Sequence, residues 1–148
     1  MAVAANIVLA DAQATPVNHT FVPVGRDPKD SQTYIWEDQS QANAVGYWRI
    51  TAKMVKPAAA KQGENSAYRV NRVIVTLSEP VLEVLSNSTV SGILPAPVIA
   101  YIPRSSTEYI LHERTSKEQR QSLRKMNYNL QNNAQVVDMV ENLINVQG

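Results

Sequence analysis

The chain has 148 residues, with 14 basic and 13 acidic side chains, a formal charge of +1 and no cysteine. That length suits a single domain with a moderate core, and a near-neutral balance means that any nucleic-acid site must come from local placement of charge. The missing cysteines exclude disulfides, thiolate metal sites and a cysteine nucleophile, and no apolar run approaches the roughly 20 residues that span a bilayer.

The chain opens MAVAA, without the basic region of a signal peptide, so a soluble, unprocessed protein with no membrane partner is expected. Residues 6–11 and 19–24 are short β-prone runs separated by Ala14, Thr15 and Pro16, which predicts an N-terminal hairpin, with Pro23 favouring an edge position. Residues 26–31 are rich in turn formers, and residues 32–37, with Tyr34, Ile35 and Trp36, read as a third strand.

The fourth strand, 48–56, has the clearest pattern. Trp48, Ile50, Ala52 and Met54 alternate with Arg49, Thr51, Lys53 and Val55, giving one apolar and one polar, basic face. Pro57 and Gly63 interrupt the pattern, and it resumes over 71–78, where Val73, Val75 and Leu77 alternate with Arg72, Ile74, Thr76 and Ser78. Two such strands joined by a flexible polar loop predict a long antiparallel hairpin whose Arg49, Lys53 and Arg72 share a face. That face is the leading binding surface. Pro80 ends the second strand, residues 86–97 read as an exposed loop containing Gly92, Pro95 and Pro97, and 98–113 is a final extended segment with a possible interruption at Pro103.

After residue 113 the period changes to that of helices. TSKE at 115–118 has the form of a capping box from Thr115 to Glu118, and Leu123, Met126 and Leu130 line one side of a helix expected to stop near Leu130. Asn133 is placed to cap a second helix in which Val136, Val137, Met139, Val140, Leu143 and Ile144 recur at helical spacing, a stripe too apolar to be left in water. The fold class is therefore α+β: an N-terminal hairpin and antiparallel sheet over 1–113, then two helices over 114–148, in one domain. A single layer of strands needs its helices to fold back, or a second copy to supply them, and its open edges favour self-pairing.

The order of these elements, with the strings NIVLAD (6–11), YWRITAK (47–53), NRVIVTLSEP (71–80), LP (94–95) and STEYI (106–110) and the two closing helices, resembles the coat proteins of small icosahedral single-stranded RNA bacteriophages, the leviviruses. The resemblance covers nearly the whole chain. It implies an intertwined homodimer with one continuous sheet and helices crossing onto the partner, and a T=3 shell assembled in the bacterial host cytoplasm and found in the virion. By position, the loop that changes conformation around the symmetry axes is residues 86–97, with Gly92, Pro95 and Pro97.

The resemblance also implies that the inner sheet face binds genomic single-stranded RNA, including a stem-loop whose capture represses replicase translation. Matching strand positions carries this role onto Arg49, Thr51, Lys53, Arg72, Ile74, Thr76, Ser106 and Glu108. Arg104 stands where relatives often have a base-stacking tyrosine, with Tyr101 nearby, and Ile74 replaces a commonly polar residue. A single-copy maturation protein is a further partner by the same resemblance.

Competing readings remain open at this level. Arg49, Lys53 and Arg72 also fit the solvated side of a half-exposed sheet. Lys117, Arg120, Arg124 and Lys125 fit an outward helix face. His19 and His112 lack metal-ligand spacing, and Glu108, Glu113 and Glu118 come with no phosphate loop, nucleophile elbow or paired carboxylate, so neither a cofactor nor a catalytic residue is expected. The rival functions are a small dimeric RNA-binding regulator that forms no shell and an enzyme whose site forms between subunits.

Overall fold

The computed structural model describes residues 3–84, 92–93 and 95–146. Its contacts divide into two compact units, Met1–Ala58 with Asn71–Ile110, and Ala59–Val70 with Leu111–Gly148.

The strands are β1 (Ile7–Ala10), β2 (Asn18–Arg26), β3 (Thr33–Asp38), β4 (Trp48–Val55), β5 (Val70–Ser78), β6 (Val81–Leu82), β7 (Ile99–Tyr101) and β8 (Arg104–His112). Six form one sheet in the order β1-β2-β3-β4-β5-β8, and β6 pairs with β7 in a separate ribbon. The β-branched and aromatic content of β3, β4 and β5 suits a pleated, half-buried surface, and the antiparallel β1 to β5 pairings set its two faces.

On one face lie Phe21, Trp36, Asp38, Trp48, Ile50, Ala52, Val73, Val75 and Leu77, as the pairings Phe21 with Asp38, Trp36 with Ile50 and Ile50 with Leu77 require. Phe21 and Ile50 are its buried apolar residues and Asp38 its buried carboxylate. His19 stacks on the Trp48 ring at 4.4 Å, and its Nδ1 lies 2.7 Å from Asp38 Oδ2, while its Nε2 is 3.5 Å from Asp11 Oδ2. These contacts tie the N-terminal hairpin to the sheet. Bonding to Asp38 raises the His19 pKa above its ordinary value, against burial. Burial works to raise that of Asp38, yet bonds from His19 and Ser40 hold it below the usual value. Asp11 is also lowered, first by the Val17 N–H and then by Gln13 and His19.

β2 is an interior strand, so Pro23 is not on an edge strand as its type implied. It is nevertheless tolerated, because β1 pairs only as far as Phe21 and leaves that side of β2 open beyond it. The strand bulges between Pro23 and Gly25, and Gly25 takes φ 135°, which a side chain would oppose. Gly46 ends a short 3₁₀ turn packed on β6, where an added Cβ would come within 3.1 Å of Leu82 Cδ1. The β6–β7 ribbon has no counterpart in the sequence reading, because two- and three-residue strands carry too little alternation to be seen. The final extended segment is interrupted at Pro103, as its residue type allowed: β7 stops at Tyr101 and β8 begins at Arg104.

In the other unit, the connection after β4 is more ordered than a flexible loop. Asn65 caps a 3₁₀ turn over Ser66–Tyr68, and Arg69 bonds Glu113 through Nε at 2.8 Å and Nη2 at 3.2 Å, with Glu64 also 3.2 Å away. Helices α1 (Lys117–Gln131) and α2 (Ala134–Glu141) follow.

The capping box is present one residue later than predicted. Ser116 Oγ accepts from the Gln119 N–H, and Gln119 Oε1 accepts from the Ser116 N–H, while the Thr115 hydroxyl donates back to the His112 carbonyl. Asn133 caps α2 as expected, accepting from the Gln135 N–H at 3.0 Å. α2 is shorter than its apolar stripe. Asn142 bonds the Asp138 carbonyl through its N–H and the Asp138 side chain through its amide, Leu143 turns left-handed at φ 55°, and the Ile144 N–H returns to the Asp138 carbonyl. Leu143 and Ile144 therefore lie beyond the helix, not on it.

Candidate nucleic-acid interface

Strand register decides which side chains can act together. Across β4 and β5, Arg49 faces Ser78, Thr51 faces Thr76, Lys53 faces Ile74 and Val55 faces Arg72. Directly paired residues share a face, so Arg49, Thr51, Lys53, Arg72, Ile74 and Thr76 lie together opposite the Phe21 face. β8 extends the surface: the Thr76 and Ser106 hydroxyls are 2.9 Å apart, and Arg72 Nη1 is 3.8 Å from Glu108 Oε1. Arg104 has the same strand parity as Ser106 and Glu108, and all three are exposed.

β3 supplies a third row that the sequence reading omitted. Glu37 stands opposite Arg49, Ile35 opposite Thr51 and Thr33 opposite Lys53. Arg49 Nε is 2.7 Å from Glu37 Oε1, and Lys53 Nζ bonds Asp30 Oδ2, which also accepts from the Thr33 hydroxyl. The Lys53 contact, followed by the Thr33 and Gln32 bonds, lowers the Asp30 pKa. Alternation over 33–38 was available as a signal for Glu37. No signal in the sequence paired Asp30 with Lys53, because the two are brought together only by the turn before β3.

The surface can therefore present guanidinium and ammonium groups to phosphates and hydroxyls to unpaired bases, but its charge is largely compensated from within.

The other expected sites lie elsewhere. Val136 and Val137 on α2 are half-buried, Met139 and Val140 are exposed, and so are Leu143 and Ile144 after it. Lys117, Arg120, Arg124 and Lys125 are exposed on α1. Gly92 takes φ 71°, and Pro95 and Pro97 follow, while positions 86–91 and 94 of the expected symmetry-axis loop lie outside the described residues. His19 is one of two histidines set aside above, yet its contacts with Asp38, Asp11 and Trp48 make it part of the packing.

The sequence profile of the levivirus coat proteins matches residues 2–146. The chain belongs to the levivirus coat protein family. It is a structural capsid protein and not an enzyme, and its place is in the virion. No curated protein matches it. Among solved structures, this coat protein is similar to the virus-like particle of bacteriophage ESE058, with 47% identity and a TM-score of 0.90 over 99% of this chain and 100% of that one. The virus-like particle of bacteriophage NT-214 shares the fold at 23% identity and a TM-score of 0.78, over 99% and 100% of the two chains. The capsid protein of bacteriophage GA does so at 19% identity and a TM-score of 0.62, over 93% of each. The antiparallel sheet of six strands followed by two helices is the phage coat protein fold. No helix among the described residues is long and apolar enough to cross a membrane.

Proposed function

We propose that this coat protein forms a two-fold dimer that closes into an icosahedral T=3 shell around single-stranded RNA, with the Arg49–Thr51–Lys53 face turned to the genome. The observation that carries the reading is the gathering of Arg49, Lys53 and Arg72 with the Thr51, Thr76 and Ser106 hydroxyls on one sheet face. Cations meet phosphates, and hydroxyls meet base edges in unpaired loops, which is how RNA hairpins are read. Capture of one genomic hairpin on this face would also repress replicase translation. A single-copy maturation protein is the remaining partner in the virion.

Several features support the dimer. β8 is a nine-residue strand at the end of the sheet order, and its outer edge offers backbone donors and acceptors to the same strand of a second copy. The Phe21 face leaves Met54 and Val75 exposed and holds a cleft of about 470 Å³ lined in part by Leu9, Phe21, Trp48 and Leu77. The apolar side chains of α1 and α2 supply the matching surface from the partner. The assembly of the 47% identical relative into a virus-like particle supports closure into a shell.

Electron microscopy of the expressed full chain tests the assembly, with uniform closed particles expected; dimers at all concentrations would instead favour the regulatory protein that forms no shell. Particles containing both Arg49→Ala and Lys53→Ala are expected to hold less RNA and to show a weaker salt dependence of binding, while dimers persist. Unchanged RNA content and salt response in this double variant would remove the assignment of the face.

A further inference from the structure

The cations of the RNA face are not held in the same way. Arg49 lies directly across from Glu37, whose side chain is only 13% exposed, so the carboxylate depends on that guanidinium for its partner. Lys53 is bonded to Asp30 Oδ2, and that carboxylate is also held by the Thr33 hydroxyl on the same oxygen and by the Gln32 N–H on Oδ1. The Arg72–Glu108 pair is looser, at 3.8 Å between two exposed side chains. Arg104 is exposed and has no ion pair among the described residues.

A surface that only neutralised phosphate would be expected to carry free lysines and arginines, since each phosphate taken up releases counterions from the nucleic acid. Here a phosphate reaching Arg49 or Lys53 meets a cation whose charge is already compensated by a carboxylate. The phosphate shares the cation with that carboxylate or displaces it, and in either case the carboxylate stays nearby and its repulsion offsets part of the attraction. Hydrogen bonds from Thr51, Thr76 and Ser106 to unpaired bases meet no such repulsion, although the Thr76 and Ser106 hydroxyls also bond each other. Discrimination between two ligands is a difference of free energies, so suppressing the phosphate contribution raises the share of binding that depends on base contacts.

We infer that Glu37 and Asp30 are specificity-determining residues of the RNA face: they hold Arg49 and Lys53 against phosphate, so that a hairpin presenting unpaired bases is bound in preference to an unstructured strand. The inference rests on the RNA-binding reading given above.

The test compares RNA-free dimers of the full chain, released from particles, with those of its Glu37→Gln and Asp30→Asn variants. Each is titrated over a series of salt concentrations with an unstructured oligouridine and with a hairpin RNA of equal length. Each variant is expected to bind oligouridine about twofold to fivefold more tightly at low salt, in keeping with the strength of a surface ion pair. The slope of log affinity against log salt should steepen, by at most about 0.7 for each cation released, since Arg49 and Lys53 contribute part of that slope while still paired. Hairpin affinity should rise less, so the preference for the hairpin narrows. Asp30 lies in a turn and its side chain is 34% exposed, so Asp30→Asn decides the matter if Glu37→Gln does not fold.

Unchanged oligouridine affinity and slope, or an equal gain for both RNAs, would overturn the inference. Loss of binding in the Arg49→Ala, Lys53→Ala double variant would then leave the RNA face itself standing. Unchanged binding in that double variant would remove the face and the inference together.

Discussion

The sheet and the two C-terminal helices meet the demand for burial differently. The sheet buries a small centre within its own chain, with Phe21 1% exposed, Ile50 6% and Asp38 4%, while Met54 and Val75 on the same face stay exposed. The helices are each capped at the N-terminus and amphipathic, yet neither contains a buried residue. Met126 is 62% exposed, Leu130 55% and Val140 68%. An isolated helix as short as the eight-residue α2 is marginal in water and gains most of its stability from packing its apolar side. The apolar side chains of α1 and α2 thus find no burial within their own unit, which is the basis for proposing a second copy of this coat protein as their partner.

Val140→Asp breaks this contrast with the largest effect. Val140 is exposed within the chain, so an isolated subunit loses little by the change. Burying an unpaired carboxylate in a dimer interface would cost about 3 kcal/mol in each copy, and two-fold symmetry applies the cost twice. Sedimentation should show dimers and particles replaced by smaller species, and wild-type dimers at micromolar concentration would show that the stripe is not an interface.

A smaller effect is expected from His19, which belongs to the small centre that the sheet buries within its own chain. Its folded pKa lies above the ordinary 6.5 because of its bonds to Asp38 and Asp11. Its stabilisation is therefore complete below about pH 6.5 and is lost as the pH rises through the higher folded value. The lowered pKa values of Asp38 and Asp11 act in the opposite direction: their contribution is present above the ordinary 3.8 and is lost as the pH falls through their folded values. Urea unfolding from about pH 6 to about pH 9 should show the native chain losing its advantage over His19→Gln. A constant difference across that range would mean that the imidazole carries no proton in this cluster.

The smallest effect separates the two hydroxyls at the start of α1. Ser116→Ala removes the capping oxygen and should cost about 1 kcal/mol of stability. Thr115→Ala removes only a bond to the His112 carbonyl and should cost less in the same chemical unfolding measurement. The reverse order would restore the box from Thr115 to Glu118 that residue spacing implied.

Much of the fold was legible because it is written in neighbouring residues. The alternation over 48–55 and 71–78 located β4 and β5 to within a residue and sorted their side chains onto two faces, since successive strand residues point to opposite sides. Asn133 announced α2 through a bond that spans two residues. The end of α2 was less legible, because the left-handed turn at Leu143 breaks an apolar spacing that continues past it.

By itself, the sequence determined the succession of hairpin, strands and helices, the basic parity of β4 and β5, and the surplus of apolar helix surface that calls for a partner. Only the tertiary structure decided that β8 lies beside β5, that His19 sits between Asp38 and Trp48, and that Arg49 and Lys53 are held by Glu37 and Asp30. Periodicity is a property of adjacent residues and can be read along the chain. Lys53 and Asp30 are 23 residues apart, and their pairing depends on strand register and on the path of the turn between them, which no local pattern encodes.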